Sequence, residues 1–160
     1  MRRLTLAVLL SLLPLAATAG EWHYEDLGTP IAYVDTGAAQ LQFACRGGDL
    51  ALGYWVRSPH RAVAGAASLH LAMTPDPAKG ADATASGAFA QDMPLIHSDG
   101  TSMIVRGPVA RAWARIAQKA KATLRVAYVR KQTALEIFDS NDFSAAGSSA
   151  AIKRVLDRCG

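Results

Sequence analysis

The stretch LQFACRGGDLALGYWV, residues 41–56, decides the fold prediction for this chain. Apolar and polar side chains alternate on both sides of its centre, which is the period of a half-buried β-strand. Gly47 and Gly48, between the two alternating runs, supply the positive φ angles that a tight hairpin turn requires. The stretch therefore predicts two antiparallel strands that direct one set of side chains into the core, namely Leu41, Phe43, Cys45, Leu50, Leu52, Tyr54 and Val56.

Strand periodicity recurs on the C-terminal side of this hairpin. The loop-like composition of TPDPAKGADATASG separates the hairpin and one further strand from the rest of the sheet. The charged residues RKQ, which lie between the last two strand segments, predict another hairpin turn. The segments with strand character are SLHLAM (68–73), two or three short strands within 88–105 divided at Asp99 and Gly100, TLRVAYV (123–129) and TALEIF (133–138).

Two segments have helical periodicity instead. The first runs from about Val109 to Ala120, where Val109, Trp113, Ile116 and Ala120 recur at helical spacing and predict the buried stripe. The second follows Ser148, which can cap a helix by accepting a backbone hydrogen bond. In that helix one apolar stripe is predicted, made of Ile152, Val155, Leu156 and Cys159.

The first residues, MRRLTLAVLLSLLPLAATA, have the layout of a secretory signal peptide. Arg2 and Arg3 precede an apolar run that is too short to span a bilayer as a stable helix. The small residues Ala17 and Ala19 predict cleavage after Ala19. We therefore expect residues 1–19 to be a signal peptide and residues 20–160 to form a single β-rich domain in the periplasm.

The expected export also decides how the two cysteines, Cys45 and Cys159, are interpreted. An even pair in an oxidising compartment is usually a disulfide, and these two have neither metal-site spacing nor a C-x-x-C redox motif. The bridge would pin the C-terminal helix to the sheet at a chain terminus that otherwise tends to fray.

Charge and motifs restrict the function further. Arg2 and Arg3 supply two of the four net positive charges of the whole chain, so the mature domain carries about +2 and gives no reason to invoke nucleic acid. The sequence shows no G-x-S-x-G or S-x-x-K motif, and no two of its histidines have zinc-motif spacing. We therefore predict a protein that is not an enzyme and that uses neither a cofactor nor a metal.

The segment from Arg106 to Lys131 contains eight basic residues and no acidic one. Within its helix, Arg111, Arg115 and Lys119 follow the spacing i, i+4, i+8 and share one face. Such a stripe can bind an anionic partner, although a solvated helix face shows the same pattern. These three residues are the candidate partner-binding residues, and the expected partner is an envelope protein or an anionic envelope polymer.

The order of these elements resembles a known group of proteins. The cysteine-bearing strand LQFACRGGDLALGYWV, the segment ARAWARIAQKAKATLRVAYV, the step from Phe143 to Gly147 and the ending SAAIKRVLDRCG are similar to small secreted bacterial envelope proteins. That group includes the periplasmic accessory protein associated with type VI secretion and the invasion-associated protein B family. The resemblance implies a β-sandwich-like domain with a disulfide and a non-enzymatic role in the envelope.

A second resemblance is to periplasmic inhibitors of lysozyme, whose cysteine-containing strand and serine-glycine step are similar to FACRGGDLAL and TASGAFA. It implies inhibition of a hydrolase through the loop around Ser86 and Gly87, which is the alternative function. The fold expectation is the same in both cases. It is an α+β, strand-dominated, antiparallel β-sandwich-like domain with two helices and a disulfide at the C-terminal one.

Overall fold

The computed structural model describes residues 20–78 and 87–159. The signal-peptide prediction falls on residues 1–19 and so lies outside the described residues, as does Ser86 of the inhibitor hypothesis. Most of the buried apolar side chains between Trp22 and Cys159 belong to one hydrophobic cluster.

Nine strands form the sheet system of the described residues, and every hydrogen-bonded pair of neighbours is antiparallel. In space the strands follow the order β1-β2-β3-β4-β7-β6-β5-β8-β9. Their bounds are β1 (His23–Asp26), β2 (Pro30–Asp35), β3 (Ala39–Arg46), β4 (Asp49–Val56), β5 (Ser68–Pro75), β6 (Ala88–His97), β7 (Thr101–Arg106), β8 (Thr123–Lys131) and β9 (Leu135–Ser144).

Strand β6 joins the two layers of this sheet system. Its first part pairs with β5, whereas Leu95 and His97 near its end pair with β7. Between these parts lies Pro94, which has no N–H to donate to a ladder, and Asp92 has a positive φ of 49°. The strand therefore changes partners, and the sheet curls around the core, which confirms the strand-dominated, antiparallel, sandwich-like prediction.

The β3–β4 hairpin has the geometry that its sequence predicts. Gly47 and Gly48 form the turn with φ angles of 61° and 80°, and Arg46 pairs with Asp49 across it. The alternating residues predicted for the core face are all buried. Period-two patterning was sufficient here because one face of the hairpin is covered and the other is not.

Two buried tyrosines connect the layers across the core. The rings of Tyr54 on β4 and Tyr128 on β8 lie with centroids 4.9 Å apart. The Tyr128 hydroxyl donates to the carbonyls of Tyr54 and Thr101, at 3.1 and 3.0 Å. The Tyr54 hydroxyl donates to the carbonyl of Asp139 and accepts from Asn141 Nδ2 at 2.7 Å. Burial raises the pKa of both phenols well above the usual value for tyrosine.

Three helices complete the described structure: α1 (Arg61–Ala64), α2 (Gly107–Lys119) and α3 (Ser148–Arg158). The single-turn helix α1 was not predicted. Helices α2 and α3 pack against each other, α2 mainly over β4 and α3 mainly over β2. Among the helices described, none has the length and apolar character needed to cross a bilayer.

A disulfide links Cys45 on β3 to Cys159, which follows α3, with the two Cα atoms 5.5 Å apart. Cys45 and Cys159 are both buried, and so are Ile152 and Val155 of the predicted α3 stripe. The prediction of a C-terminal helix pinned to the sheet by this bridge is confirmed.

The predicted apolar stripe of α2 was right at Trp113 and at Ile116 and Ala120, which are half-buried and pack against the core, but it was wrong at Val109. Val109 is 46% exposed, whereas the buried residues of the helix are Trp113 and three alanines, Ala110, Ala114 and Ala117. Small side chains let a helix axis come close to its neighbours, so a face of alanines can pack as densely as a face with bulkier residues. Only Trp113 was assigned correctly among the buried positions of this helix.

The predicted capping role of Ser148 was also wrong. The residue before α3 that serves as its cap is Gly147, in the left-handed conformation with a φ of 81°. Ser148 is fully buried, and its hydroxyl donates to the carbonyl of Ala117 near the end of α2, at 3.2 Å. Ser148 therefore joins the two helices rather than capping one of them.

Asp76 fixes the connection between α2 and β8. Its carboxylate accepts hydrogen bonds of 2.7–3.1 Å from the backbone N–H groups of Lys121, Ala122 and Thr123, and these bonds lower the pKa of Asp76. A single side chain thus satisfies three successive backbone donors at the point where the chain leaves the helix and enters the strand.

We expect Asp76→Ala to lower the free energy of unfolding by about 1 kcal/mol, because three backbone donors lose a charged acceptor. Urea unfolding at neutral pH measures this loss. The control is Asp157→Ala on the exposed face of α3, where the carboxylate pairs with Lys153 and accepts no hydrogen bond from the backbone of a described residue. The control should cost less than about 0.5 kcal/mol, as exposed i, i+4 pairs do.

The Asp76 carboxylate has a predictable pH dependence. Because its pKa is lower in the folded state, its contribution to stability is present above its ordinary pKa of 3.8 and is lost as the pH falls further. The difference in unfolding free energy between wild type and Asp76→Ala should therefore shrink on acidification below about pH 4. A difference that stays constant between pH 7 and the acid range would contradict this role.

Candidate binding surfaces

The three predicted partner-binding residues lie on α2 but do not share one environment. Arg111 is half-buried, and its Nη2 donates to the carbonyl of Cys159 at 3.0 Å. Arg115 and Lys119 are exposed and form no ion pair with any residue that the structure describes. We call Arg115 and Lys119 the basic face. Arg111 has a structural contact that accounts for its position.

The neighbouring helix α3 also carries basic residues, but each of the three has a partner. Lys153 pairs with Asp157 at 2.6 Å, and Arg158 pairs with Asp26 at 3.5 Å. The guanidinium of Arg154 lies 3.7 Å from the ring centroid of Tyr24, a cation–π contact. Among the basic side chains described on the two packed helices, Arg115 and Lys119 therefore stand out because they have neither an ion pair, a hydrogen bond nor an aromatic contact with another described residue.

The histidines within β5, β6 and the loop before α1 hold local structure together. His60 Nδ1 accepts from the N–H of Ala62 at the start of α1, and His70 Nδ1 accepts from the N–H of Asp92. His97 contacts the carbonyl of Ala66 through Nε2 at 2.8 Å. Folding could have brought His70 and His97 together from separate strands into one site. Instead, they bond to different backbone groups.

The acidic segment FDSNDF, whose composition indicates a turn, belongs to β9 instead. Asp139 has a positive φ of 47° and accepts from the N–H of His60 at 2.8 Å. Asp142 forms a close ion pair with Arg125, at 2.7 Å. Among the described residues no three histidine, cysteine, aspartate or glutamate side chains gather in a metal-binding arrangement.

A groove of about 280 Å³ lies on the outer face of the sheet, around Trp55. Trp55, which the sequence suggests to be a core or edge aromatic, is half-buried on the face opposite to Tyr54. We call this feature the tryptophan groove. The described residues that line it carry no charge, and they are Gln40, Gln42, Gly53, Tyr54, Trp55, Ser98, Ser102 and Ile104.

Trp55 is held firmly in place. Its Nε1 donates to the carbonyl of Asp99 at 2.8 Å, and the guanidinium of Arg57 lies 4.6 Å from its ring centroid. Arg57 in turn forms a two-point ion pair with Asp35, with distances of 3.0 and 2.7 Å. This pairing lowers the pKa of Asp35, so both partners stay charged and neutralise each other over a wide pH range.

A second groove, of about 390 Å³, lies where β6 approaches the β8–β9 turn. Its apolar residues include Phe89 and Leu135, which are 37% and 36% exposed, and Lys131 is also part of its lining. Gly87, the described residue of the inhibitor hypothesis, borders this groove; a Cβ there would lie 1.9 Å from the carbonyl oxygen of Met73. The inhibitor hypothesis itself stays a prediction.

The tryptophan groove was not predicted from the sequence, although part of its signal was present. The alternation in β4 that buries Leu52 and Tyr54 places Gly53 and Trp55 together on the opposite face. A glycine beside a tryptophan on the solvent side of a strand was the available indication of a surface groove.

Comparisons with known proteins add no relative. Searches of the chain against models of protein families, curated protein sequences and solved structures found no match.

Proposed function

We propose that this protein is a non-catalytic binding or accessory protein of the bacterial cell envelope, located in the periplasm, and that α2 binds an anionic partner. The observation that carries the proposal is the basic face. Arg115 and Lys119 project from a buried helix into solvent without an ion pair among the described residues. The partner we propose is an envelope protein or an anionic envelope polymer.

The support beneath the basic face favours a binding role. Helix α2 is anchored by buried Trp113, by the hydrogen bond from Ser148 and by the contact between Arg111 and Cys159. A cationic surface on an anchored helix loses less conformational entropy on binding than the same charges on a loop. The two charges also add an attraction that speeds association with an anionic partner.

The contacts of His97 support the non-catalytic part of the proposal. General base catalysis needs an imidazole nitrogen that is free to reach the reacting proton. Both ring nitrogens of His97 are engaged, Nδ1 by Thr101 Oγ1 at 3.0 Å and Nε2 by the carbonyl of Ala66 at 2.8 Å. The disulfide agrees with an oxidising compartment, and the resemblance to small secreted envelope proteins supports the periplasmic location.

The test is chemical crosslinking in the periplasm of the native host, with an Arg115→Glu, Lys119→Glu variant. We expect the variant to lose the crosslinked partner, because the two positive charges that face the anionic partner are replaced by negative charges that repel it. The matched control is Arg46→Glu, Arg61→Glu, which makes the same change in net charge at exposed positions outside α2. Wild type and control should capture the same partner.

Two results would contradict the proposal. One is capture of the same partners by the basic-face variant, provided that its thermal unfolding matches wild type. The other is loss of the partner in both variants, which would mean that net charge alone, and not α2, is recognised. Added salt should weaken the wild-type interaction, since exposed charges are screened within about 8 Å at physiological ionic strength.

A further inference from the structure

We propose that the tryptophan groove is a binding site for a neutral glycan. The groove is independent of the basic face, because its residues lie on β3, β4, β7 and the turn before β7 and include no charged side chain. Three features carry the proposal: the arrangement of the groove, the fixed position of its aromatic ring and its unpaired hydrogen-bonding groups.

Strand register places the six central residues in two rows across three strands. The first row is Gln40 on β3, Trp55 on β4 and Ser102 on β7, and the pairs are directly opposite each other. The second row, in the same strand order, is Gln42, Gly53 and Ile104. With ordinary strand and residue spacings the rows cover roughly 10 Å by 7 Å, the size of one or two sugar rings.

Gly53 creates the space in the middle of the second row. Its missing side chain leaves a notch beside the Trp55 ring, which the flexible side chain of Gln42 partly covers: a Cβ on Gly53 would lie 3.0 Å from Nε2 and 3.1 Å from Cγ of Gln42. Gly53 has no positive φ, so the backbone conformation does not require glycine at this strand position. Gly in a strand interior weakens the strand and often marks the close approach of a ligand.

Trp55 has the orientation and rigidity of a stacking surface. Arg57 and Gly53 are its neighbours at i+2 and i−2, so the groove borders the ring on the side away from the guanidinium. The bond from Nε1 to Asp99 fixes the ring before any ligand arrives. A fixed aromatic ring offers a large apolar area at a small cost in conformational entropy.

The polar groups around the ring are free to bind a ligand. The side chains of Gln40, Gln42 and Ser102 form no hydrogen bond with any described residue. Each carboxamide offers two donors and an acceptor, and the hydroxyl offers one donor and an acceptor. A pyranose has the matching chemistry, since its C–H face is apolar while its hydroxyl groups at the rim donate and accept.

Charge and polarity argue against other occupants. A nucleotide could stack on Trp55, but the described lining of the groove offers no charged side chain to its phosphates, and Arg57, on the other side of the ring, is already neutralised by Asp35. An apolar peptide side chain would cover the carboxamides and the hydroxyl without satisfying them, which costs free energy. A neutral sugar satisfies both parts of the groove.

The experiment is calorimetric titration of the domain with two uncharged probes, the tetrasaccharide of N-acetylglucosamine and cellotetraose. We expect saturable binding of at least one probe, and a change in tryptophan emission, because Trp22 and Trp113 are buried whereas Trp55 is partly exposed. Trp55→Ala should weaken binding roughly ten-fold or more. Gly53→Val should do the same by filling the notch, and as a strand-favouring residue it should leave the fold intact.

Two variants serve as controls. Phe89→Ala removes an aromatic ring from the other groove and should bind the probe like wild type. The Arg115→Glu, Lys119→Glu variant should also bind it like wild type, which separates this inference from the proposed function. Failure of both probes to bind at about 10 mM would overturn the inference, and so would unchanged affinity in folded Gly53→Val.

Discussion

A Cys159→Ser variant is expected to unfold with a free energy about 2–5 kcal/mol below that of the wild-type domain. The bridge to Cys45 joins residues that are 114 positions apart, and a covalent link over so long a loop removes many conformations from the unfolded chain. The folded state also loses the covalent attachment of α3 to β3. Chemical denaturation of the purified domain, followed by circular dichroism, measures the difference.

Reductant provides the matched control for this variant. Wild-type protein in excess dithiothreitol should lose about the same stability, whereas Cys159→Ser should not change when dithiothreitol is added. If reduction leaves the wild-type midpoint unchanged, then α3 is held by its non-covalent contacts, such as the packing of Ile152 and Val155 and the hydrogen bond of Ser148, without help from the bridge. That result would contradict the role assigned to the bridge.

The second large effect is expected at the tyrosine pair. Tyr54→Phe should lower the free energy of unfolding by about 1–3 kcal/mol, because the Asp139 carbonyl and Asn141 Nδ2 both lose the Tyr54 hydroxyl and keep their bond to each other. Tyr128→Phe should cost a similar amount, since its hydroxyl serves two carbonyls. Urea unfolding of the purified variants measures both losses.

Tyr33, which is half-buried with its hydroxyl at the surface, is the control position for the tyrosine pair. Its hydroxyl donates to Glu25 at the surface, and Tyr33→Phe should change stability by less than about 0.5 kcal/mol. If all three phenylalanine variants lost equal amounts, the buried hydroxyls would have no special role in joining the layers.

Alkaline pH gives a second readout of Tyr54 and Tyr128. The pKa of each phenol is higher in the folded state than the ordinary value of 10.0, so their contribution to stability is complete below pH 10 and is lost as the pH rises above it. The unfolding free energy should therefore fall more steeply above pH 10 in wild type than in the double phenylalanine variant. Equal slopes would contradict the assignment.

The β3–β4 hairpin and the disulfide could be predicted because the hairpin has a local signal and the two cysteines have only each other to pair with, whereas strands β1 and β2 were not predicted. Alternation in residues 41–56 identifies which side chains are buried, and two cysteines allow only one intramolecular pair. The same reasoning identified the stripe of α3. In each case the apolar residues are large and lie on one side of the element, so periodicity identifies the face that is buried.

Helix α2 shows where that reasoning fails. Hydrophobicity favours Val109 over alanine, but the helix turns Ala110 and Ala117 toward the core instead. The decision depends on how closely the helix can approach β4 and α3, which is a property of the assembled layers. The same applies to Arg111, whose contact with Cys159 depends on the crossing of two helices.

The tryptophan groove could not be predicted for a related reason. Its middle strand, β4, pairs with β7 after an interval of about fifty residues, and only that pairing brings Ser102 and Ile104 beside Trp55 and Gly53. The sequence indicates that Gly53 and Trp55 share a face. It does not indicate which distant strand completes the surface, because antiparallel register across a long connection depends on tertiary packing.

The positions of the two cysteines also determine when the bridge can form, if the chain is exported with its N-terminus first. Cys45 arrives with β3, but its partner arrives only after β9 and α3. Until then Cys45 is a lone thiol, and any disulfide it forms is with another molecule. The native bridge can therefore form only after the whole domain has been exported. A chain cut short before Cys159 would lack the bridge, keep Cys45 as a thiol and be more open to proteases.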